Sequence, residues 1–212
     1  MLTPSEILPK IYPITDVSLS GLSHAEQVRR LIDGGATFIQ LREKHASPRE
    51  FFEAAKPAVE LAHAANVRII INDRVDIARA LAADGVHLGQ DDLPPNAARQ
   101  ILGSEAIIGY STHSVEQAIQ AAKFDIDYIA IGPVFETTTK ENPDPVVGLR
   151  GLTDVKKQIG TIPLVAIGGI NLDNINKVFS AGADSSALIS ALVRQPRFIS
   201  STLRKFHTDF VR

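Results

Sequence analysis

Short β-branched runs recur along the chain, and each is followed by a segment with helical spacing. The candidate strands are Ile11–Thr15, Phe38–Arg42, Val67–Asn72, Gly85–Leu88, Ala106–Ser111, Tyr128–Pro133, Pro163–Gly168 and Ser186–Ser190. Several are apolar at consecutive positions, as in Arg68-Ile69-Ile70-Ile71 and Leu164-Val165-Ala166-Ile167. Strands buried on both faces belong to parallel sheets covered by helices. Amphipathic segments fill the gaps. His24–Asp33 runs to the stop Gly34-Gly35, and Pro48 opens a segment reaching about Ala65. Others are Val75–Ala83, Pro94–Leu102, Ser114–Lys123, Thr153–Ile159, Asn171–Ala181 and Pro196–Phe210. Ser114 with Gln117 three residues later forms a capping-box pattern.

Eight consecutive strand–helix units in 212 residues predict a single-domain (β/α)8 TIM barrel over 1–212. The alternative is an open doubly wound sheet. Against it, no G-x-G-x-x-G follows the first strand, and polar residues end nearly every strand.

Composition narrows the function. Lys plus Arg is 22 and Asp plus Glu is 24, a net charge of −2. This balance gives no general attraction to nucleic acid or to an anionic membrane, so anion recognition must be local. There is no Cys, which excludes thiolate nucleophiles, thiolate metal sites and disulfides. Apolar stretches such as Tyr128–Phe135 are strand-sized, far below the ~18 residues of a membrane helix. MLTPSEILPK lacks the pattern of a signal peptide. The expectation is a soluble cytoplasmic protein with small-molecule partners, its oligomeric state left open.

A barrel of this kind carries its active site where the strands stop. The second strand ends Gln40-Leu41-Arg42-Glu43-Lys44. Alternation puts Gln40, Arg42 and Lys44 on one side, an amide and two cations suited to a di-anion. The other reading is a solvated strand end with a Lys44–Glu43 pair. The third strand ends Asn72-Asp73 and the fourth Gly89-Gln90-Asp91-Asp92. Neighbouring carboxylates can share one Mg²⁺, but Asp73, Asp91 and Asp92 equally suit helix N-caps, and Asp73 could pair with Arg74. Ser111 suits a phosphate, and His113 either acid–base work or a bond to backbone. After Gly132-Pro133 comes Phe135-Glu136-Thr137-Thr138-Thr139-Lys140, in a connection of about 20 residues, the length of a lid or binding loop. Gly168-Gly169 and Ser190 end the seventh and eighth units, a frequent phosphate site in this fold. Two anionic sites over one barrel mouth suggest joining two phosphorylated molecules with loss of diphosphate.

These segments, together with Tyr12-Pro13-Ile14-Thr15-Asp16, Ile71-Asn72-Asp73 and Gly85-Val86-His87-Leu88-Gly89-Gln90-Asp91-Asp92, resemble the thiamine phosphate synthase family over nearly the whole chain. The resemblance implies a transferase that couples hydroxymethylpyrimidine diphosphate to a thiazole phosphate, plain or carboxylated, by dissociative substitution. It implies that Gln40, Arg42, Lys44 and Asn72 bind the pyrimidine diphosphate, completed by Ser111 and Lys140. Arg42, Lys44, Ser111 and Lys140 would act in catalysis. Asp73 and Asp92 would hold one Mg²⁺. Thr137, Thr139, Gly169, Ile189 and Ser190 would hold the thiazole phosphate. Ser185-Ser186 and Glu136 depart from the family's usual residues. A thiazole tautomerase-like isomerase shares Ser111–Ser114 and Phe135–Thr137, and a non-catalytic binder of phosphorylated precursors would use the same scaffold.

Overall fold

The structure is a computed structural model that describes residues 8–137, 139 and 144–210. Eight strands form one sheet of parallel pairs: β1 (Ile11–Pro13), β2 (Phe38–Leu41), β3 (Arg68–Asn72), β4 (Gly85–Leu88), β5 (Ile107–Thr112), β6 (Tyr128–Ile131), β7 (Leu164–Ile167) and β8 (Ser185–Leu188). From β2 to β8 each strand pairs with its sequence neighbour, and β1 pairs with β8. The remaining seam, β1 against β2, is closed by a bridge between Ile14 and Gln40 and by Thr15 N donating to Gln40 O at 2.9 Å. The sheet is therefore a barrel, not an open doubly wound sheet.

The helices are α1 (Val17–Ser20), α2 (His24–Asp33), α3 (Pro48–Ala64), α4 (Val75–Ala80), α5 (Pro95–Leu102), α6 (Val115–Ala121), α7 (Gly148–Gln158), α8 (Ile175–Ser180), α9 (Ser190–Val193) and α10 (Ile199–Phe210), the last preceded by a 3₁₀ turn, Pro196–Phe198. Ser23 with Glu26 and Ser47 with Glu50 form complete capping boxes. At α6 the box is split. Ser114 Oγ accepts from Gln117 N, but Gln117 Oε1 takes His113 N at 2.7 Å instead of the cap's own N–H. Two helix starts differ from expectation, and two short helices were not expected. The last helical stretch of the seventh unit starts at Ile175, because Asn174 and Asn171 side chains capture the N–H groups of Asn171 and Asp173. Helix α7 starts at Gly148, which shortens the preceding connection. Two four-residue helices, α1 and α9, are too short to show a period in sequence. Among the described residues no helix is long and apolar enough to cross a membrane.

Outward-facing strand residues pack with the helices into one apolar layer, from Ile39, Ile71 and Val86 to Leu152 and Leu203. Inward-facing ones form a second core inside the barrel: Tyr12, Phe38, Ile70, Tyr128, Ala130, Val165 and Ala187. Filling the barrel with side chains is what makes this architecture a packed core and confines ligands to one end.

At the opposite end a device recurs. Asp84, Asp127 and Asp184 stand immediately before or near the start of β4, β6 and β8. Their carboxylates accept from Ile69 N, Ile108 N and Leu164 N, first or second residues of the adjoining odd strands, at 2.7–2.8 Å. Each also meets a basic side chain from the helical layer: His63 at 3.3 Å, Arg99 at 2.7 Å and Lys156 at 2.5 Å. The carboxylates thus tie β3 to β4, β5 to β6 and β7 to β8. Asp127→Ala leaves Ile108 N–H and the half-buried Arg99 short of an acceptor. It is expected to destabilise the fold by about 1–3 kcal/mol in urea unfolding, with the catalytic rate per folded molecule unchanged.

Candidate active site

The C-terminal ends of the strands surround a cavity of about 890 Å³. It gathers Gln40, Arg42, Lys44, Asn72, Asp73, Asp92, Ser111, Thr137, Thr139, Gly169, Ile189 and Ser190. Lys140 lies outside the described residues. The mouth is divided. Strands β2 to β5 contribute Gln40, Asn72, His87 and Ser111 to its lining, whereas Ala130, Ile167, Ala187 and Ile189 from β6 to β8 contribute an apolar wall. One half can face charge and hydrogen-bonding groups, and the other can cover a flat apolar ring.

The cations are held by carboxylates. Arg42 Nη1 donates to Asp16 Oδ2 at 2.6 Å, and Asp16 is itself fixed by capping Leu19 N at 2.9 Å and by its own N–H donating to Gln27 Oε1 at 3.0 Å. Lys44 Nζ reaches Asp73 Oδ2 at 2.5 Å, not Glu43. Glu43 instead accepts from Lys44 N and His45 N. Asp73 does not pair with Arg74, which turns to Asp76. Nor do these acids cap helices. The residues at the caps of α4 and α5 are Arg74 and Pro94, and Asp92 instead accepts from Gly89 N at 2.6 Å in its own loop. The carboxylates remain directed at the cavity. Asp16 is a site residue that sequence reasoning missed; its signal was a carboxylate directly after the first strand.

Burial raises the Asp73 carboxyl above its ordinary pKa, Lys44 draws it back, and the neighbouring Asp92 raises it again. Among the described lining residues, Arg42 and Lys44 face six carboxylates: Asp16, Glu43, Asp73, Asp91, Asp92 and Asp144. A diphosphate entering this half alone would meet net negative charge. A divalent cation between Asp73 and Asp92 would offset two of those charges, and two carboxylates suffice for Mg²⁺, which retains waters and takes phosphate oxygens. Among the described residues no group of three or more metal-binding side chains forms a closed cage. The neighbouring pair Asp73 and Asp92 offers a hard ion oxygen donors but no complete coordination sphere. Asn72 offers the same cavity a hydrogen-bond donor. It is buried, and its Nδ2 has no protein partner.

Other expected residues fall as follows. His113 Nδ1 bonds Gly132 O at 2.7 Å and lies 3.4 Å from Asp144, so it braces the loop after β6. Gly169 has φ 66°, and a Cβ there would lie 2.4 Å from Glu136 O, so only glycine lets the loops after β6 and β7 meet. Thr139 N donates to Thr137 Oγ1 at 3.3 Å in that loop. Ser185 and Ser186 lie in the β8 ladder, not in the turn before α9, and are fully buried with unpartnered hydroxyls. His87 was missed. It lies inside β4, bonded to Ser111 Oγ through Nε2 at 2.8 Å. Burial pulls its pKa down to about 4, so it is neutral at pH 7. Because the unfolded value of about 6.5 is higher, the unfolded chain binds more protons between the two, and stability falls as pH drops through that window. From pH 6.5 to 4 the wild type is expected to lose about 3 kcal/mol more than a His87→Gln variant, read from urea midpoints.

Comparison with known proteins bears on this geometry. The sequence model of the family described as thiamine monophosphate synthase matches residues 11–192. The chain is 48% identical over 186 residues to a thiamine-phosphate synthase of Clostridium novyi, covering 87% of this chain and 91% of that protein. It is 44% identical over 197 residues to a thiamine-phosphate synthase of Methanospirillum hungatei, covering 92% and 95%. Among solved structures, a thiamine phosphate pyrophosphorylase from Pyrococcus furiosus superposes with a TM-score of 0.83 at 39% identity, over 94% of each chain. With a barrel of matching shape and a match that spans the strand ends lining the cavity, the chain belongs to the thiamine monophosphate synthase family.

Proposed function

We propose that the chain joins 4-amino-5-hydroxymethyl-2-methylpyrimidine diphosphate to hydroxyethylthiazole phosphate, giving thiamine phosphate and diphosphate. With a carboxylated thiazole, CO₂ is lost as well. The observation that carries this reading is the divided cavity: paired cations and carboxylates on the β2–β5 half, an apolar wall and the Gly169–Ser190 turns on the other. Gln40, Arg42, Lys44 and Asn72 hold the pyrimidine diphosphate, and Ser111 and Lys140 complete its site. Gly169, Ser190, Ile189, Thr137 and Thr139 hold the thiazole phosphate, where backbone N–H groups suit a monophosphate. Asp73 and Asp92 hold Mg²⁺, which when bound supplies charge neutralisation to the departing diphosphate. The whole of 1–212 serves as one catalytic unit with small-molecule partners, in the cytoplasm.

The chemistry needs no side-chain nucleophile. The bond from the exocyclic methylene to the diphosphate oxygen breaks, and its electron pair leaves on that oxygen. The guanidinium of Arg42 and the ammonium of Lys44 stabilise the charge that develops there. The 4-amino group feeds electron density through the ring to the methylene cation. The thiazole nitrogen then donates its lone pair to that carbon and forms the C–N bond. Asp16 and Asp73 hold the two cations in place before the substrate arrives, so little reorganisation is left to the reacting complex.

The test is product formation by the purified full-length protein from both substrates, with and without Mg²⁺. Turnover is expected only with both substrates and the ion. Conversion of a thiazole substrate alone would support an isomerase, and binding without turnover a sensor. Arg42→Ala and Asp92→Ala are each expected to lower kcat by about 10²–10³-fold with a near wild-type melting temperature. Near wild-type turnover in both would remove the site assignment.

A further inference from the structure

Beneath the cavity, five inward-facing side chains from five strands touch end to end. Gln40 Nε2 donates to Tyr12 Oη at 2.8 Å. Tyr12 Oη lies 2.9 Å from Tyr128 Oη. Tyr128 Oη lies 2.9 Å from His87 Nδ1, and His87 Nε2 lies 2.8 Å from Ser111 Oγ. The run begins and ends at cavity-lining residues, Gln40 and Ser111. Of its middle members, Tyr12 is 1% exposed and Tyr128 0%, while His87, 8% exposed, borders the cavity floor.

The backbone is shaped to admit this run. Gly109 stands opposite Tyr128 in the ladder, and a Cβ there would lie 2.0 Å from the Tyr128 Cζ and 2.3 Å from its Oη. The phenol fills the space that any other residue at 109 would occupy. The imidazole of His87 stacks on the Tyr128 ring, with centroids 5.5 Å apart and planes 17° apart. That stacking fixes Nδ1 against the phenol oxygen.

Counting protons restricts the run to two states. Each hydroxyl carries one proton, and a neutral imidazole carries one N–H. Every link uses one proton, and a buried phenol that accepted on both sides would leave its own proton unpaired, so each inner group accepts from one side and donates to the other. All links must then point the same way. Starting from the Gln40 amide N–H, Tyr12 donates to Tyr128, Tyr128 donates to His87 Nδ1, and His87 Nε2–H donates to Ser111 Oγ. Ser111 has accepted, so its own proton is free for the cavity, and Gln40 presents its carbonyl oxygen there. In the reverse state Ser111 gives its proton to His87 and offers only lone pairs, while Gln40 offers N–H. An anionic group beside Ser111 needs a donor, and an aminopyrimidine beside Gln40 brings an N–H that needs an acceptor. Only the first state serves both.

We propose that Tyr12, Tyr128 and His87 are positioning residues that form a one-way hydrogen-bond chain, setting Ser111 as a donor and Gln40 as an acceptor toward an aminopyrimidine diphosphate. The choice of ligand rests on the substrate reading above; the direction follows from Gln40 Nε2 donating to Tyr12 Oη, and the ligand's needs agree with it.

The test has two parts. Nitrogen-15 NMR of the histidine-labelled, substrate-free protein at pH 7 is expected to show His87 as the Nε2–H tautomer. Ser111→Ala should leave that tautomer in place, because Tyr128 imposes it from the buried side. Tyr128→Phe should abolish the preference. A wild-type His87 in the Nδ1–H form, or a tautomer that changes in Ser111→Ala, overturns the proposal. If Tyr128→Phe does not fold, the wild-type and Ser111→Ala spectra still decide. In steady-state kinetics, Tyr12→Phe and Tyr128→Phe are each expected to lower kcat/KM for the diphosphate substrate by about tenfold, and the double variant by no more than the larger single loss, since one break disconnects the ends. Full additivity also overturns the proposal. Expected spectra with no turnover of the two substrates would remove the substrate reading and leave the chain standing.

Discussion

In a closed barrel every second side chain of each strand points inward, so those positions decide both how the interior packs and what the open end can hold. Here the lower layers are Phe38, Ile70 and Val165, and they close the interior. Moving up the same strands, β2 to β4 turn polar at Gln40, Asn72 and His87, while β7 and β8 stay apolar at Ile167 and Ala187. Buried polar groups are costly unless satisfied. Tyr12, Tyr128 and His87 satisfy one another across the barrel, and that lets polarity extend below the cavity floor without unpaired groups there. The exceptions stand out for that reason: Asn72 Nδ2 borders the cavity, whereas the Ser185 and Ser186 hydroxyls have no such explanation from their surroundings.

The charged half of the mouth works by the same logic. Arg42 and Lys44 are not loose cations waiting at a rim. Each is anchored by a carboxylate, and the surplus of acids makes the pocket unfavourable for a bare polyanion. The proposed use of a metal-complexed diphosphate is consistent with this balance.

Much of this was legible in the residues. Unbroken apolar runs such as Ile69-Ile70-Ile71 declared strands covered on both faces, and period-two alternation set Gln40, Arg42 and Lys44 on one side. Pro48 after Ser47 marked a helix start that the structure keeps to within a residue of its expected span. Pro57 inside that helix does not end it, because its position faces solvent and water can take the carbonyl its ring displaces. What sequence could not supply were partners chosen by the fold. Asp16 meets Arg42 across 26 positions, and Tyr12 meets Tyr128 across 116. The choice between helix cap and cavity ligand for Asp73 and Asp92 was equally open, since both uses ask for the same residue type after a strand.

The aspartates at the closed end reach beyond local packing. They bind strands three to eight in successive pairs, and among the described residues the first pair has no such tie; Thr37 occupies the corresponding place before β2. The joint between β1 and β2 is left to a bridge and the bonds around Thr15. Asp16, Gln40 and Arg42 all sit beside it. A barrel sprung at that joint would keep its three tied strand pairs and still lose one side of its cavity, so enzyme competence and gross foldedness are separable quantities in this molecule.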